Sequence, residues 1–217
     1  MHLVWPREGN MTIHEHPLAP LVGADLIDAY RDVATSIISD SLDRMAGPHG
    51  PLPFHHSGRM IGTALTVDTR HGDNLAIHAA LKIARPGDVL VIAGGGDLSQ
   101  ALIGEIIVLH GRVIGVAGFL VDGAIRDVGA IRAGDMPVYA CGVTHRGPYK
   151  NGPGVLNQPV SIGGAVVNPG DLVVGDEDGV VMLSPDTARE ILPSIRAKED
   201  HERQKIAGYL KEISART

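Results

Sequence analysis

Arg126 and Asp127 are adjacent residues whose side chains are suited to chemistry on a small anionic molecule. A guanidinium binds a carboxylate through paired hydrogen bonds, and a carboxylate is a hard oxygen ligand for a divalent cation. The pair follows an apolar run at residues 113–121 that predicts a buried strand, closed by Asp122-Gly123. Because ligands bind at the carboxyl ends of strands in open α/β sheets, we expect the pair at such an edge. An Arg-Asp turn is also typical of a solvated ion pair, and spacing alone leaves both interpretations open.

A glycine-rich segment upstream of this pair could bring backbone N–H groups to the same edge. Gly94-Gly95-Gly96 follows an apolar strand at residues 89–93 and precedes a predicted helix, which starts between Ser99 and Gly104 and ends near His110-Gly111. The glycine run is equally typical of a plain turn. It lacks the third glycine of a dinucleotide-binding loop and the Lys-Ser/Thr of a phosphate-binding loop.

The start of that helix could hold an anion, since the first N–H groups of a helix have no partner within it. If the helix begins near Leu102, four unpaired amides point outward, those of Gly104, Glu105, Ile106 and Ile107. The absence of a side chain at Gly104 would let an anion approach the backbone closely. Asn74 and His78, at the start of the preceding predicted helix, either line the same cleft or have a structural polar role.

Composition argues against several classes of function. The 217 residues carry 19 Lys+Arg against 25 Asp+Glu, and only 3% are aromatic, so we expect no nucleic-acid partner. One cysteine, Cys141, excludes an internal disulfide and a multi-cysteine metal site. The apolar stretches are much shorter than the roughly 18 residues that span a bilayer, and the first residues do not resemble a signal peptide. These features predict no membrane association and a cytoplasmic location.

The elements that would position the candidate residues alternate between helix and strand in the first half of the chain, and the second half is rich in strands. Ser184-Pro185-Asp186 is a strong helix start, with a hydroxyl N-cap, a proline in the first turn and an acid beside the positive end. This order predicts a single-domain α/β fold, an α/β/β/α-type sandwich with mixed sheets plus a C-terminal helix. The predicted parts are an irregular N-terminal arm (1–19), the α/β domain (20–183) and the C-terminal helix (184–217). The predicted helices cover residues 26–38, 74–85 and the segment before 111, and the predicted strands cover residues 60–69, 89–93, 113–121, 137–143 and parts of 165–182.

Three stretches resemble one known family. They are GDNLAIHAALKIARPGDVLVIAGGGDLSQALIGE, GVAGFLVDGAIRDV and GDLVVGDEDGVVMLSP, and the likeness extends over residues 25–200. The sequence is similar to the RraA-like / 4-hydroxy-4-methyl-2-oxoglutarate aldolase family, in which an acidic residue, twenty intervening positions and Arg-Asp form a motif. Here Glu105, residues 106–125 and Arg126-Asp127 match it, with glutamate where aldolases of this kind often have aspartate. The fold that this resemblance implies is of the swivelling β/β/α kind.

The resemblance implies a divalent-metal-dependent pyruvyl (class II) aldolase. Such an enzyme would cleave 4-hydroxy-4-methyl-2-oxoglutarate or 4-carboxy-4-hydroxy-2-oxoadipate to pyruvate, and would also decarboxylate oxaloacetate, since both reactions pass through the same enolate. By position, Asp127 would hold the cation, Mg²⁺ by preference and Mn²⁺ as an alternative. Arg126 would bind the keto acid and stabilise enolate charge, and Glu105 would orient or deprotonate a water of the cation. The amides of Gly104, Glu105, Ile106 and Ile107 would hold the pyruvyl carboxylate.

The resemblance also implies an assembly, a homotrimer or a homohexamer. In family enzymes a carboxylate from the C-terminal helix of a neighbouring subunit assists the site, and Glu199 and Glu202 are the candidates here. A solvated helix face explains each of these two residues equally well. The alternative function is that of the family members that are non-catalytic regulators and bind a ribonuclease.

Overall fold

The computed structural model describes residues 12–42, 44 and 47–216, so the first eleven residues of the predicted N-terminal arm and Thr217 lie outside the described residues. A mixed sheet of nine strands forms the centre, in the order β1-β7-β3-β4-β5-β6-β2, with β10 paired to β3 and β11 to β10. Strands β8 and β9 form a separate antiparallel pair. The strands are β1 (Ile13–Glu15), β2 (Leu52–Pro53), β3 (Met60–Thr69), β4 (Asp88–Ile103), β5 (Gly118–Ile125), β6 (Val138–Val143), β7 (Gly154–Leu156), β8 (Val160–Ile162), β9 (Ala165–Val167), β10 (Leu172–Asp176) and β11 (Gly179–Leu183).

Helices cover the sheet in two groups. Three of them share one apolar core with β3, β4 and β5, and the other three share a second core with β10 and β11. A third core lies between the central strands and the β8–β9 pair. The first group is α3 (Leu75–Ile83), α4 (Glu105–Ile114) and α5 (Val128–Ala133), and the second is α1 (Ala24–Tyr30), α2 (Thr35–Asp40) and α6 (Pro185–Ser214).

This architecture confirms the predicted α/β fold, a mixed α/β domain with a central sheet and a C-terminal helix. Strands β3, β4, β5 and β6 pair in parallel, so their carboxyl ends meet at one edge of the sheet. The predicted cap of the last helix is present, since the Ser184 hydroxyl accepts a hydrogen bond from the Thr187 N–H at 3.1 Å. In the described part of the chain, no helix is long and apolar enough to cross a membrane.

The predicted boundaries around the glycine run were wrong. Strand β4 continues through Gly94-Gly95-Gly96 with shifts in its pairing to β5, and helix α4 begins only at Glu105. Close approach is the reason, because a Cβ at Gly94 would lie 2.4 Å from Leu102 Cδ1 and 2.7 Å from the Asp122 carbonyl oxygen. The glycines therefore lie in an irregular part of the β4–β5 pairing where Gly94 packs closely against its neighbours, and they do not end the strand.

The end of α4 also differs from the prediction. The helix runs past His110-Gly111 to Ile114, and β5 starts at Gly118 and continues through Asp122-Gly123 to Ile125. Gly111 is a packing residue, since a Cβ there would lie 2.5 Å from Phe119 Cζ, and Gly115, at φ +88°, ends the helix.

One part of the predicted irregular arm is ordered. Residues 13–15 form β1, which pairs in parallel with β7. Asn157 holds the arm in place, because its Nδ2 donates to the His16 carbonyl oxygen at 2.9 Å. Local sequence gave no sign of this strand, since its pairing depends on residues about 140 positions away.

Candidate functional site

A cleft of about 90 Å³ lies at the carboxyl edge of the parallel strands. Its walls come from the start of α3, the end of β4 with the start of α4, the turn after β5, and a loop at residues 148–150. These segments are far apart in sequence, and the parallel sheet brings their ends together. The lining residues are Asn74, His78, Ala101, Leu102, Ile103, Gly104, Ile106, Ile107, Arg126, Asp127, Pro148 and Lys150.

Arg126 and Asp127 both line this cleft, directly after the last residue of β5. The Asp127 carboxylate lies 3.6 Å from Arg126 Nε, and each side chain is about two-fifths exposed, at 43% and 42%. Asp127 has a left-handed backbone, at φ 57° and ψ 34°, at the N-cap of α5. Few non-glycine residues adopt this conformation, and aspartate is one of the side chains that tolerate it best.

The start of α4 lies against this pair. The Glu105 N–H donates to Asp127 Oδ2 at 3.1 Å, so the helix N-terminus holds the carboxylate in place. Gly104 makes the approach possible, because a Cβ there would lie 2.4 Å from Asp127 Oδ2 and 2.9 Å from Arg126 Cγ. Its φ of −151° is open to any residue, so the requirement for glycine is steric.

The four-amide anion site predicted for a helix beginning near Leu102 is only partly present. Because α4 begins at Glu105, the Ile107 N–H reaches the Gly104 carbonyl oxygen, and the Glu105 N–H is used by Asp127. The amides of Gly104 and Ile106 have no acceptor among the described residues. Two N–H groups thus remain for a ligand, beside the Arg126 guanidinium.

Glu105 is not among the residues that line the cleft. It lines a neighbouring depression of about 50 Å³ with Leu109, Arg112 and Met136. The structure therefore connects Glu105 to Arg126-Asp127 through its backbone N–H, and its predicted catalytic role stays a prediction.

Glu199 and Glu202 lie on α6, which packs against α1 and α2, and neither residue lines the cleft of its own chain. Glu199 Oε2 accepts a hydrogen bond from Arg196 Nη1 at 2.7 Å, and its side chain is 18% exposed. Their predicted assistance to a neighbouring site stays a prediction.

Three further polar residues line the cleft. Asn74, at the N-cap of α3, and His78, within α3, both line the cleft, and Asn74 also has a structural polar contact. Asn74 is 4% exposed, its Nδ2 donates to the Leu102 carbonyl oxygen at 3.2 Å, and its Oδ1 is buried without a partner among the described residues. Sequence reasoning missed Lys150, because nothing in its neighbourhood distinguishes it from a surface lysine.

His78 is expected to be uncharged near neutral pH. Burial lowers the pKa of its imidazole, and the charge of Lys150 lowers it further, with smaller effects of His110 and Lys82. The cleft therefore has two fixed cations, Arg126 and Lys150, and a neutral histidine, with one carboxylate, Asp127. This charge balance suits an anionic ligand.

Asp127 fits a divalent cation that is held weakly and keeps most of its water. Its Oδ1 has no hydrogen-bond donor among the described residues, whereas Oδ2 is used by Glu105. Within the same part of the chain, no group of three or more His, Cys, Asp or Glu side chains is placed to hold a metal. One carboxylate oxygen, with water and ligand oxygens for the rest, is a donor set typical of Mg²⁺.

Comparisons with known proteins agree on one family. A family model called RraA-like, described as Aldolase/RraA, matches residues 24–182. A protein of Halalkalibacterium halodurans, provisionally named 4-hydroxy-4-methyl-2-oxoglutarate aldolase, is 38% identical over 176 residues, which are 81% of this chain and 84% of that protein.

Two solved structures are similar in fold and sequence. RraAS2 of Streptomyces coelicolor, named as an unusual member of the RNase ES inhibitor RraA family, has a TM-score of 0.76 and 28% identity and covers 84% of this chain and 96% of its own. The RNA-processing inhibitor RraA of Thermus thermophilis has a TM-score of 0.64 and 30% identity, over 70% of this chain and 93% of its own.

Proposed function

This chain belongs to the RraA-like family, and from that premise we propose that it is a metal-dependent carbon–carbon lyase acting on pyruvyl compounds. The proposed substrates are 4-hydroxy-4-methyl-2-oxoglutarate, 4-carboxy-4-hydroxy-2-oxoadipate and, for decarboxylation, oxaloacetate. The observation that carries the proposal is the shared cleft, in which Arg126, Asp127 and two free amides of α4 surround one cavity. The aldolase name of the 38% identical relative supports the same reaction class.

The chain's own residues account for binding of the keto acid. The carboxylate beside the keto group would accept hydrogen bonds from the Gly104 and Ile106 N–H groups, at the positive end of α4. The Arg126 guanidinium would bind the keto oxygen. Lys150, on the opposite loop, would attract the carboxylate that lies further from the keto group.

Among the side chains of the cleft, Arg126 would also contribute most of the rate enhancement. When the C3–C4 bond breaks, its electron pair passes to C3 and on to the keto oxygen, which gives the enolate of pyruvate. A preorganised cation beside that oxygen stabilises the transition state more than the bound substrate. The proton of the C4 hydroxyl must go to a base, and the unprotonated imidazole of His78 is an available acceptor in the cleft. Protonation of C3 then completes pyruvate.

Asp127 would hold the cation, Mg²⁺ or Mn²⁺. When bound, such a cation polarises the keto oxygen and neutralises developing negative charge.

We propose that the protein works as a homotrimer or homohexamer in the cytoplasm. The second half of α6 supports an assembly, because Ile206, Tyr209 and Leu210 lie on one helical face and are 57%, 64% and 59% exposed. In such an assembly Glu199 or Glu202 would come from a neighbouring subunit. A monomer mass by light scattering at micromolar concentration would overturn this part of the proposal.

The second candidate function is a non-catalytic regulator that binds a ribonuclease. The inhibitor names of the two similar structures favour it, and so does the absence of Glu105 from the residues that line the cleft. Neither observation excludes catalysis in the cleft.

A pyruvate-release assay decides between the two. The three proposed substrates are supplied with the purified protein, and pyruvate is measured by NADH oxidation through lactate dehydrogenase. We expect release that disappears in EDTA and returns with Mg²⁺ or Mn²⁺, because one protein carboxylate holds such a cation weakly. Asp127→Asn is the matched variant, since asparagine tolerates the left-handed backbone and removes the charge. Release from none of the substrates with Mg²⁺ present would favour the regulator, and full activity after exhaustive chelation would remove the cation from the proposal.

A further inference from the structure

Two turns of the same sequence pattern flank helix α3. Residues 70–73 read Arg-His-Gly-Asp and residues 85–88 read Arg-Pro-Gly-Asp. Both are closed by an N–H of the aspartate donating to the arginine carbonyl oxygen, at 3.0 and 3.1 Å, and both have their glycine at positive φ. In each, an ion pair joins the arginine to a fully buried aspartate. The two turns differ in what else the aspartate binds.

Asp88 is satisfied by its own turn. Among the described residues, Arg85 supplies every donor that reaches its carboxylate: the backbone N–H at 2.7 Å, Nε at 3.2 Å and Nη2 at 3.0 Å. This turn lies at the amino end of β4, on the side of the sheet away from the cleft. Its carboxylate therefore has a local, structural role.

Asp73 instead binds a segment that is almost 80 residues away. Its Oδ2 accepts hydrogen bonds from the N–H groups of Asn151 and Gly152 at 2.8 and 2.7 Å, and its Oδ1 accepts one from the Leu75 N–H at 2.9 Å. Arg70 adds only one bond to the carboxylate, at 3.1 Å. A Cβ at Gly152 would lie 2.8 Å from Asp73 Cγ, so this approach requires glycine.

Further contacts join the same two segments. Tyr149 donates its N–H to the Gly72 carbonyl oxygen at 2.8 Å and accepts from the Asn74 N–H at 3.0 Å. Arg70 lies 5.7 Å above the Tyr149 ring and donates to Asn151 Oδ1 at 2.8 Å. Lys150 lies between the residues held in this way, so its backbone is fixed on both sides.

We propose that Asp73 is a positioning residue of the cleft, which holds Lys150 opposite Arg126 so that both charges meet a dicarboxylic keto acid. This inference rests on the proposed function. Asp73 itself is fully buried, does not line the cleft, and acts through the N–H groups of Asn151 and Gly152. A buried carboxylate that accepts from three backbone N–H groups is a stiff anchor, because an unbonded charge there would be very unfavourable.

The test compares Asp73→Asn with Asp88→Asn, two equal changes in matched turns. Asparagine has the same shape as aspartate, but only one of its two terminal atoms is an oxygen. It therefore cannot accept hydrogen bonds at both positions where the Asp73 carboxylate oxygens accept them. We expect the KM for oxaloacetate to rise about tenfold or more in Asp73→Asn, because the Lys150 ammonium loses its position. Exchange of the pyruvate methyl protons with D₂O, followed by NMR, should change less than about threefold, since pyruvate lacks the second carboxylate. Asp88→Asn should leave both quantities near wild type.

A merely structural role for Asp73 would give a different result. Its variant would then lower oxaloacetate turnover and pyruvate exchange equally, or would match Asp88→Asn, and either outcome overturns the proposal. Amide hydrogen exchange of residues 149–152 gives a readout independent of activity, and we expect faster exchange in Asp73→Asn only. Unchanged protection of this loop would also overturn the proposal. A wild type that turns over none of the substrates would instead show that the proposed function is wrong.

Discussion

The two edges of the parallel part of the sheet are built from similar pieces, but they differ in what they leave unsatisfied. At the amino edge, the described hydrogen bonds to the Asp88 carboxylate all come from Arg85. At the carboxyl edge, Asn74 Oδ1 is buried without a partner in the described structure, and Asp127 has a left-handed backbone. Asn74 and Asp127 thus bring spare hydrogen-bonding capacity and an unusual backbone to the cleft. Outside it, Arg59 Nε is also buried without a partner among the described residues, and Arg44 and Asn157 also have left-handed backbones.

This difference distinguishes residues with a structural role from residues with a functional role, and it does so without using related proteins. Residues of the amino edge should affect stability more than turnover, whereas Arg126 and Gly104 at the carboxyl edge should affect turnover more than stability. Natural proteins depart from local consistency mainly where function requires it. Each prediction below replaces a residue of one edge and, where the chain offers one, a matched residue elsewhere.

Arg126→Ala should have the largest effect. Loss of one preorganised charge donor lowers the turnover number by about 10²–10³, and Arg126→Lys should recover little because a point charge does not replace a planar fork. The thermal midpoint should change little, since the side chain is 42% exposed.

Arg85→Ala at the amino edge is the control, and it should behave oppositely. We expect activity within about twofold of wild type and a loss of roughly 1–3 kcal/mol in unfolding free energy, because Asp88 stays buried with fewer donors. Steady-state kinetics and thermal unfolding of both variants provide the measurement, and equal activity losses would break the comparison.

Gly104→Ala should have an intermediate effect. The added methyl group would displace Asp127 Oδ2, which lies only 2.4 Å from the Cβ position, and a misplacement of this size can cost about 100-fold in kcat/KM. Gly129→Ala in α5 is the control, since a Cβ there meets nothing within 4 Å. We expect that control to keep full activity and to gain about 0.4–1 kcal/mol in stability. An active Gly104→Ala enzyme would show that Asp127 does not need its present position.

The smallest effect expected is a dependence of stability on pH through His78. Its pKa is lowered in the folded protein, so the unfolded chain binds more protons below about pH 6.5 and the folded state loses stability as the pH falls. Burial is the main cause, followed by the charges of Lys150, His110 and Lys82. His78→Gln should flatten this slope between about pH 7 and pH 5 in urea unfolding. Identical slopes in the two proteins would contradict a desolvated histidine in the cleft.

Periodicity in the sequence was sufficient for much of the fold. The alternating run at residues 60–69 is the strand Met60–Thr69, and the Ser184 cap starts α6 where predicted. Both depend on local chemistry, namely strand alternation and a side chain bonding its own helix. The position of Arg126 and Asp127 at the sheet edge also followed, because it required only the order of strands and helices.

The incorrect predictions have a shared physical cause, which is contact between distant segments. Gly94 and Gly111 are glycines because of Leu102 and Phe119, and no local pattern distinguishes such packing from a turn or a helix end. Lys150 is in the cleft because Asp73 binds the loop around it, a contact that a single sequence does not show. The number of free amides at the start of α4 depends on where the helix begins, which the sequence left open by several residues.

The second half of helix α6 should open independently of the rest of the fold. Among residues 196–216 none is buried, and the last buried side chain of the helix is Ile195. Local opening of this stretch uncovers little apolar surface, so its backbone amides should exchange with solvent well before those of the sheet. In an assembly that covers Ile206, Tyr209 and Leu210, the same amides would instead become protected.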